Sequence, residues 1–224
     1  MAPAPAAVAS VIEPGACVGL GIESCPGLVT NFSTEGIFGQ RILGDTNVET
    51  LATGTFTGVF REVRLIDGMT GGFDFLYQVQ RTGGPGVGGD PIVTLSTGAY
   101  TGWITNVGYC SACSVGSAGQ GNLISPLNGN PEIAPDFISR GPSGADIVFH
   151  LGAAGIGDSD ESFVLVIKTN ATRAFAGTSF VSDGARASVR SSAPTPVSVP
   201  EPTTLALLGM GLAGVVMLRR RSRS

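Results

Sequence analysis

FDFLYQVQR (residues 73–81) alternates from its first residue. Phe73, Phe75, Tyr77 and Val79 fall on one side, with Asp74, Gln78 and Gln80 mainly on the other. Side chains of a strand point to opposite faces with a period of two, so the segment reads as a β-strand. GTFTGVFREVRLI (54–66), just before it, is rich in the Thr, Val, Phe and Ile that strands favour. DGMTGG (67–72) lies between them, a turn cluster that makes the two a hairpin.

The same pattern extends outward. FVLVIK (163–168), inside ESFVLVIKTN (161–170), is a near-continuous apolar run and reads as a central strand buried on both faces. PIVTLSTGAYTGWITNVGYC (91–110) offers one or two strands, and ADIVFHL (145–151) and TSFVSDGARASVR (178–190) one each. Shorter runs lie near 28–33 and 133–139. Roughly eight to ten strands, with turn signals every 8–12 residues or so, predict an antiparallel β-sandwich or jelly-roll body over 11–190. RTGGPGVGGD (81–90) is too glycine-rich for a strand and reads as a mobile hairpin tip. SVGSAGQGNLISPLNGNPEIAPD (114–136) reads as a polar insertion over one end, and 191–202 as a Pro/Ser-rich spacer.

Composition agrees. Gly reaches 34 of 224 residues and charged residues only 13%, which favours strands and tight turns over helices. Up to Glu201 the chain holds all 17 acids and nine of its 13 bases, a charge of −8. Nucleic acid is therefore excluded as a partner, because phosphate neutralisation needs clustered Lys and Arg. The four cysteines, Cys17, Cys25, Cys110 and Cys113, suit two disulfides in an oxidising compartment. Cys17–Cys25 with Cys110–Cys113 is the simplest of three connectivities. A redox CxxC would open a helix in an α/β fold, and a zinc site would need a second set of matching ligands.

Little in the chain carries catalytic chemistry. His150 is the lone histidine, no GxSxG occurs, and the glycine loop lacks a phosphate-binding lysine. No catalytic residue and no cofactor is expected. GIGDSDES (155–162) puts Asp158, Asp160 and Glu161 at one turn, hard oxygen ligands suited to Ca²⁺. The rival reading is a solvated acidic turn, since the EF-hand pattern is not met. Asn31-Phe32-Ser33 and Asn170-Ala171-Thr172 match the glycosylation tripeptide, which a bacterial host would leave unused.

The two ends differ from the body. MAPAPAAVAS (1–10) has the Ala7-Val8-Ala9 pattern of a cleavage site, and reads as the end of a signal peptide or as a disordered leader. VPEPTTLALLGMGLAGVVMLRRRSRS (199–224) sets Pro200-Glu201-Pro202 before an uncharged run, Thr203 to Leu218, and then Arg219, Arg220, Arg221 and Arg223. As a helix, 203–218 would be about 24 Å long against a hydrocarbon core of about 30 Å, a short transmembrane span helped by snorkelling arginines. The arginines stay on the cytoplasmic side and leave the body outside.

These three parts in this order resemble the PEP-CTERM protein-sorting signal of bacteria with polymer-rich matrices, a module also catalogued as the C-terminal domain of some ice-binding proteins. The resemblance implies export, a membrane anchor, and processing near Pro-Glu-Pro by an exosortase, an integral-membrane peptidase. It makes Pro200, Glu201 and Pro202 the recognition element and Arg219–Arg221 the membrane stop. The destination is the cell surface or extracellular matrix. The first expectation is a non-enzymatic surface or matrix protein with extracellular polysaccharide as a further partner. The second is a carbohydrate- or ice-binding module. The former would show Tyr100, Trp103 and Tyr109 on one solvent-facing patch, the latter a flat threonine array built on Thr53, Thr55 and Thr57. The third is a secreted hydrolase, which needs two distant acids to meet in space.

Overall fold

The computed structural model describes residues 11–19, 25, 27–32, 39–41, 47–84, 90–113, 115–117, 121–124, 132–152 and 154–195. Along the chain they form β1 (Cys17–Gly19), β2 (Thr30–Asn31), β3 (Gly39–Arg41), β4 (Asn47–Ala52), β5 (Thr57–Asp67) and β6 (Phe73–Gly83). Then come β7 (Thr94–Thr97), β8 (Thr105–Cys110), β9 (Val115–Ser117), β10 (Gly121–Ile124), β11 (Glu132–Ile133) and β12 (Phe137–Arg140). The last are β13 (Ile147–His150), β14 (Glu161–Ser162), β15 (Val164–Thr169), β16 (Ala174–Ser182) and β17 (Arg186–Pro194).

The protein is all-β, with two main sheets. One has six strands in the order β1-β12-β13-β7-β16-β17, all antiparallel. The other has nine, running β11-β14-β6-β15-β8-β2, with β5 on β6 and both β3 and β4 on β5, and it curls into a half-barrel. Two of its pairings are parallel, β2 with β8 and β11 with β14, so the body is not purely antiparallel. β9 and β10 form a small hairpin.

The β5–β6 hairpin is the spine of the larger sheet. β5 and β6 pair from Thr57↔Gly83 to Ile66↔Phe73. Asp67 closes the turn, its Oδ1 accepting from the amides of Met69 and Thr70 at 2.7 and 2.9 Å. A side chain at Gly72 would strike the carbonyl oxygen of Thr169, which is why that position has none. Phe73, Phe75, Tyr77 and Val79 lie in the main core together with Leu95, Ile138, Ile147, Phe149, Val181 and Val189 of the six-stranded sheet. The two sheets therefore share one core.

The opposite face of β6 is also covered. Leu76 joins Phe32, Val63, Leu65, Cys110, Val164 and Val166 in a second core, and Asp74 and Gln78 are buried. β15 feeds both cores, Leu165 and Ile167 on one side and Val164 and Val166 on the other, as its apolar run predicted.

Several strand expectations are corrected. The strands exceed the roughly eight to ten expected because short pieces fill the edges. TSFVSDGARASVR is a hairpin, not one strand. Asp183 Oδ1 accepts from the amide of Ala185, and Gly184 takes a left-handed φ of +116°. β6 and β7 lie in different sheets, so the glycine-rich stretch is a crossover and not a hairpin tip; its residues 85–89 lie outside the described residues. The polar stretch 114–136 holds β9, β10 and β11. β17 continues through Ser191 to Pro194, into the stretch read as spacer. Both disulfides form in the simplest pairing, Cys17–Cys25 and Cys110–Cys113.

Candidate functional site

The acidic turn does not gather its carboxylates. Asp158 pairs with the buried Arg81 at 3.3 Å, Asp160 caps its own turn through the amide of Gly157, and Glu161 is buried on β14, 3.8 Å from Arg61. Among the described residues no group of three His, Cys, Asp or Glu is placed to hold a metal ion. Two distant acids do meet, Glu132 and Glu161, partners across the parallel pair β11–β14. Burial, and after it Glu161, raises the Glu132 carboxyl. With no surface exposed, Glu161 cannot present its carboxylate to a bulky substrate.

The aromatic residues form no common patch. Tyr100 is fully buried, and its hydroxyl lies 3.0 Å from that of Tyr77 in the core. Tyr109 stacks on Phe163. Trp103 donates from Nε1 to the carbonyl of Thr195 at 3.1 Å. Thr53 and Thr55 belong to the β4–β5 turn, where Thr53 Oγ1 accepts from the amides of Thr55 and Phe56, so no threonine array forms. His150 stacks on Phe137 and shares a 3.1 Å contact with Ser139 Oγ; burial lowers its pKa. A shallow cleft of about 280 Å³ on the six-stranded sheet is lined by Ser96, Asp146, Val148, Thr178, Phe180 and Arg186.

One arrangement escaped the sequence. In FREVRLI the charged Glu62 stands between Arg61 and Val63, and apolarity alone would place Val63 and Leu65 in the main core. They lie instead in the second core, and Glu62 faces the main one opposite Tyr77. There its Oε1 accepts from the amide of Ser192 at 2.8 Å, while Glu49 Oε2 accepts from that of Arg190 at 3.0 Å. The free edge of β17 is thus satisfied by two carboxylates in place of another strand. Burial pushes the Glu62 carboxyl up to about 7. Only the conjunction of an acid inside a strong strand with both faces apolar hints at this in sequence.

β17 leads to the C-terminal tail, and its last described residue is held twice. The amide of Thr195 donates to the carbonyl of Arg173 at 2.9 Å, and its own carbonyl receives Trp103 Nε1. Arg140 braces the same end. Its buried guanidinium donates to the carbonyls of Ile12, Tyr100, Trp103 and Gly144 at 2.8 to 3.1 Å. The tail therefore leaves from a fixed point. Pro200, Glu201 and Pro202, the span 203–218 and Arg219–Arg221 lie outside the described residues. Among those described, no helix is long and apolar enough to cross a membrane.

Residues 198–221 match the family model of the PEP-CTERM protein-sorting motif. The chain carries a PEP-CTERM sorting tail. The match begins three residues beyond Thr195, the last described residue, so the PEP-CTERM tail and the β body adjoin almost without a gap. The motif implies an exported protein processed by an exosortase, and with the two disulfides it suggests anchoring at the cell surface. No curated protein and no solved structure matches the chain.

Proposed function

We propose that this is a non-enzymatic surface or matrix protein. It is exported, held in the bacterial membrane by 203–218 with its body outside, and released near Pro200-Glu201-Pro202 by an exosortase-type peptidase. The observation that carries the reading is the PEP-CTERM match at 198–221, joined to a body whose last strand ends at Pro194. Glu201 stands between two prolines, which disfavour helix and sheet and keep a peptidase site extended. The body's role is structural, in extracellular polymer or envelope. The fixed exit supports this, because processing there would cut the chain without opening the fold.

Mass spectrometry of the native protein with localisation tests the reading. A mature form ending near Pro200–Pro202 outside the membrane fraction is expected. An intact chain ending at Ser224 in the membrane fraction would make the tail a plain anchor.

Carbohydrate binding is the second reading, supported now by the cleft at Phe180 and Arg186 and no longer by Tyr100, Trp103 and Tyr109. The Arg186 guanidinium lies 3.5 Å over the Phe180 ring, and Asp146 adds a carboxylate nearby. Retention of the wild-type body on a polysaccharide column, lost in Phe180→Ala, would favour it.

A further inference from the structure

The tail leaves the body at the end that carries most of its exposed apolar side chains. Seven large apolar residues are exposed among the described ones, and five of them sit at this end: Val11, Ile66, Met69, Ile104 and Phe175. Their placement follows from bonds already described and a few more. Ile66 and Met69 flank Asp67 in the β5–β6 turn, and at its far side the amide of Phe73 donates to the carbonyl of Ala171 in the chain after β15. Ile104 donates its amide to Asn170 Oδ1, and Val11 bridges to Asn106. A cavity between the turns is lined by Asp67, Thr70, Ile104, Asn106, Lys168 and Asn170, which brings the β5–β6 turn, the Trp103 loop and the segment after β15 together. Phe175 follows two residues after Arg173, whose carbonyl holds Thr195. Exposed patches of this kind mark interaction surfaces.

We propose that this end of the body rests on the outer lipid surface of the membrane while the tail is in place. The inference rests on the reading of 203–218 as a membrane span. The tether decides the occupant. From Thr195 to Thr203 the chain has eight steps and includes Pro196, Pro200 and Pro202. Extended as polyproline it covers about 25 Å. A body of this size has a radius of gyration of about 16 Å, hence a diameter near 40 Å. The tether is shorter than the body is wide, so the exit end cannot turn away from the bilayer. Its apolar side chains therefore face the bilayer within reach of the headgroup boundary, into which such groups partition. Trp103, half-buried beside the exposed Ile104, stands where tryptophan is favoured at membrane interfaces.

The chain contains one tryptophan, so Trp103 reports on this end alone. The full chain is incorporated into phosphatidylcholine vesicles, with and without acyl chains brominated close to the glycerol. Flotation with the vesicles reads the anchor. Loss of Trp103 emission on bromination reads contact between this end and lipid. Wild type is expected to float and to be quenched. The double variant Met69→Asp, Ile104→Asp, changed only at exposed positions, is expected to float equally and to escape quenching. If wild type floats without quenching, or the double variant is quenched as strongly as wild type, docking through this fringe is overturned and the anchor stands. If wild type does not float, the anchor reading fails and docking falls with it.

Discussion

Glu62 and Asp74 are carboxylates on opposite faces of one sheet, and burial raises each to about 7. Glu62 has the Ser192 amide as a partner, whereas neither oxygen of Asp74 has a hydrogen-bond partner among the described residues. Asp74 is also raised by Asp67 and lowered by Lys168, both weaker than burial. The folded chain keeps protons on both groups that the unfolded chain gives up near pH 4–4.5. Their favourable contribution is complete below that range and is lost as pH rises through 7. Asp67 works in the opposite sense. Burial alone would raise it, but the amides of Thr70 and Met69 and the Lys168 ammonium together hold it low, so its contribution is lost as pH falls. A higher melting temperature at pH 5 than at pH 8 is expected. Glu62→Gln should flatten the difference and stabilise the body at pH 8 by on the order of 2 kcal/mol, read by thermal melts across pH.

At the scale of strands and turns, the β5–β6 hairpin and β15 were legible because their residue types and period agree with their place. Phe73, Phe75, Tyr77 and Val79 face one core, and FVLVIK feeds two. What was not legible followed from neighbours. Gln78 and Asp74 look like a solvent face in sequence, but the second core around Phe32 and Leu76 covers them. The β16–β17 hairpin carried its own signal in Asp183-Gly184, masked by continuous strand composition on both sides. Gly72 shows how tightly a turn is set. Gly72→Ala would drive a methyl into the Thr169 carbonyl and separate the β5–β6 turn from the chain after β15. A loss of roughly 2–3 kcal/mol is expected, measured by urea denaturation.

Across the whole molecule, the tail declared itself in sequence through residue types in order, while the body's part in presenting it did not. The contacts of Trp103 with Thr195 and of Glu62 with Ser192 join residues 92 and 130 positions apart, which no local pattern encodes. These contacts set where the fold ends. A chain stopped after Thr195 is expected to melt as the full chain does in detergent. One stopped after Arg190 removes Ser192 and Thr195, leaves Glu62 buried without its partner, and should melt several degrees lower. The closing strand is also the last to be made. A ribosome and an export channel deliver this chain from its first residue onward, so β16 emerges with one edge waiting and Glu62 with an empty place opposite it. The fold cannot be completed until residue 195 is through, by which time the apolar run is next in line. If 203–218 is the membrane span proposed above, body closure and capture by the membrane are nearly simultaneous events, and a chain released before residue 195 would reach the outside with its sheets still open.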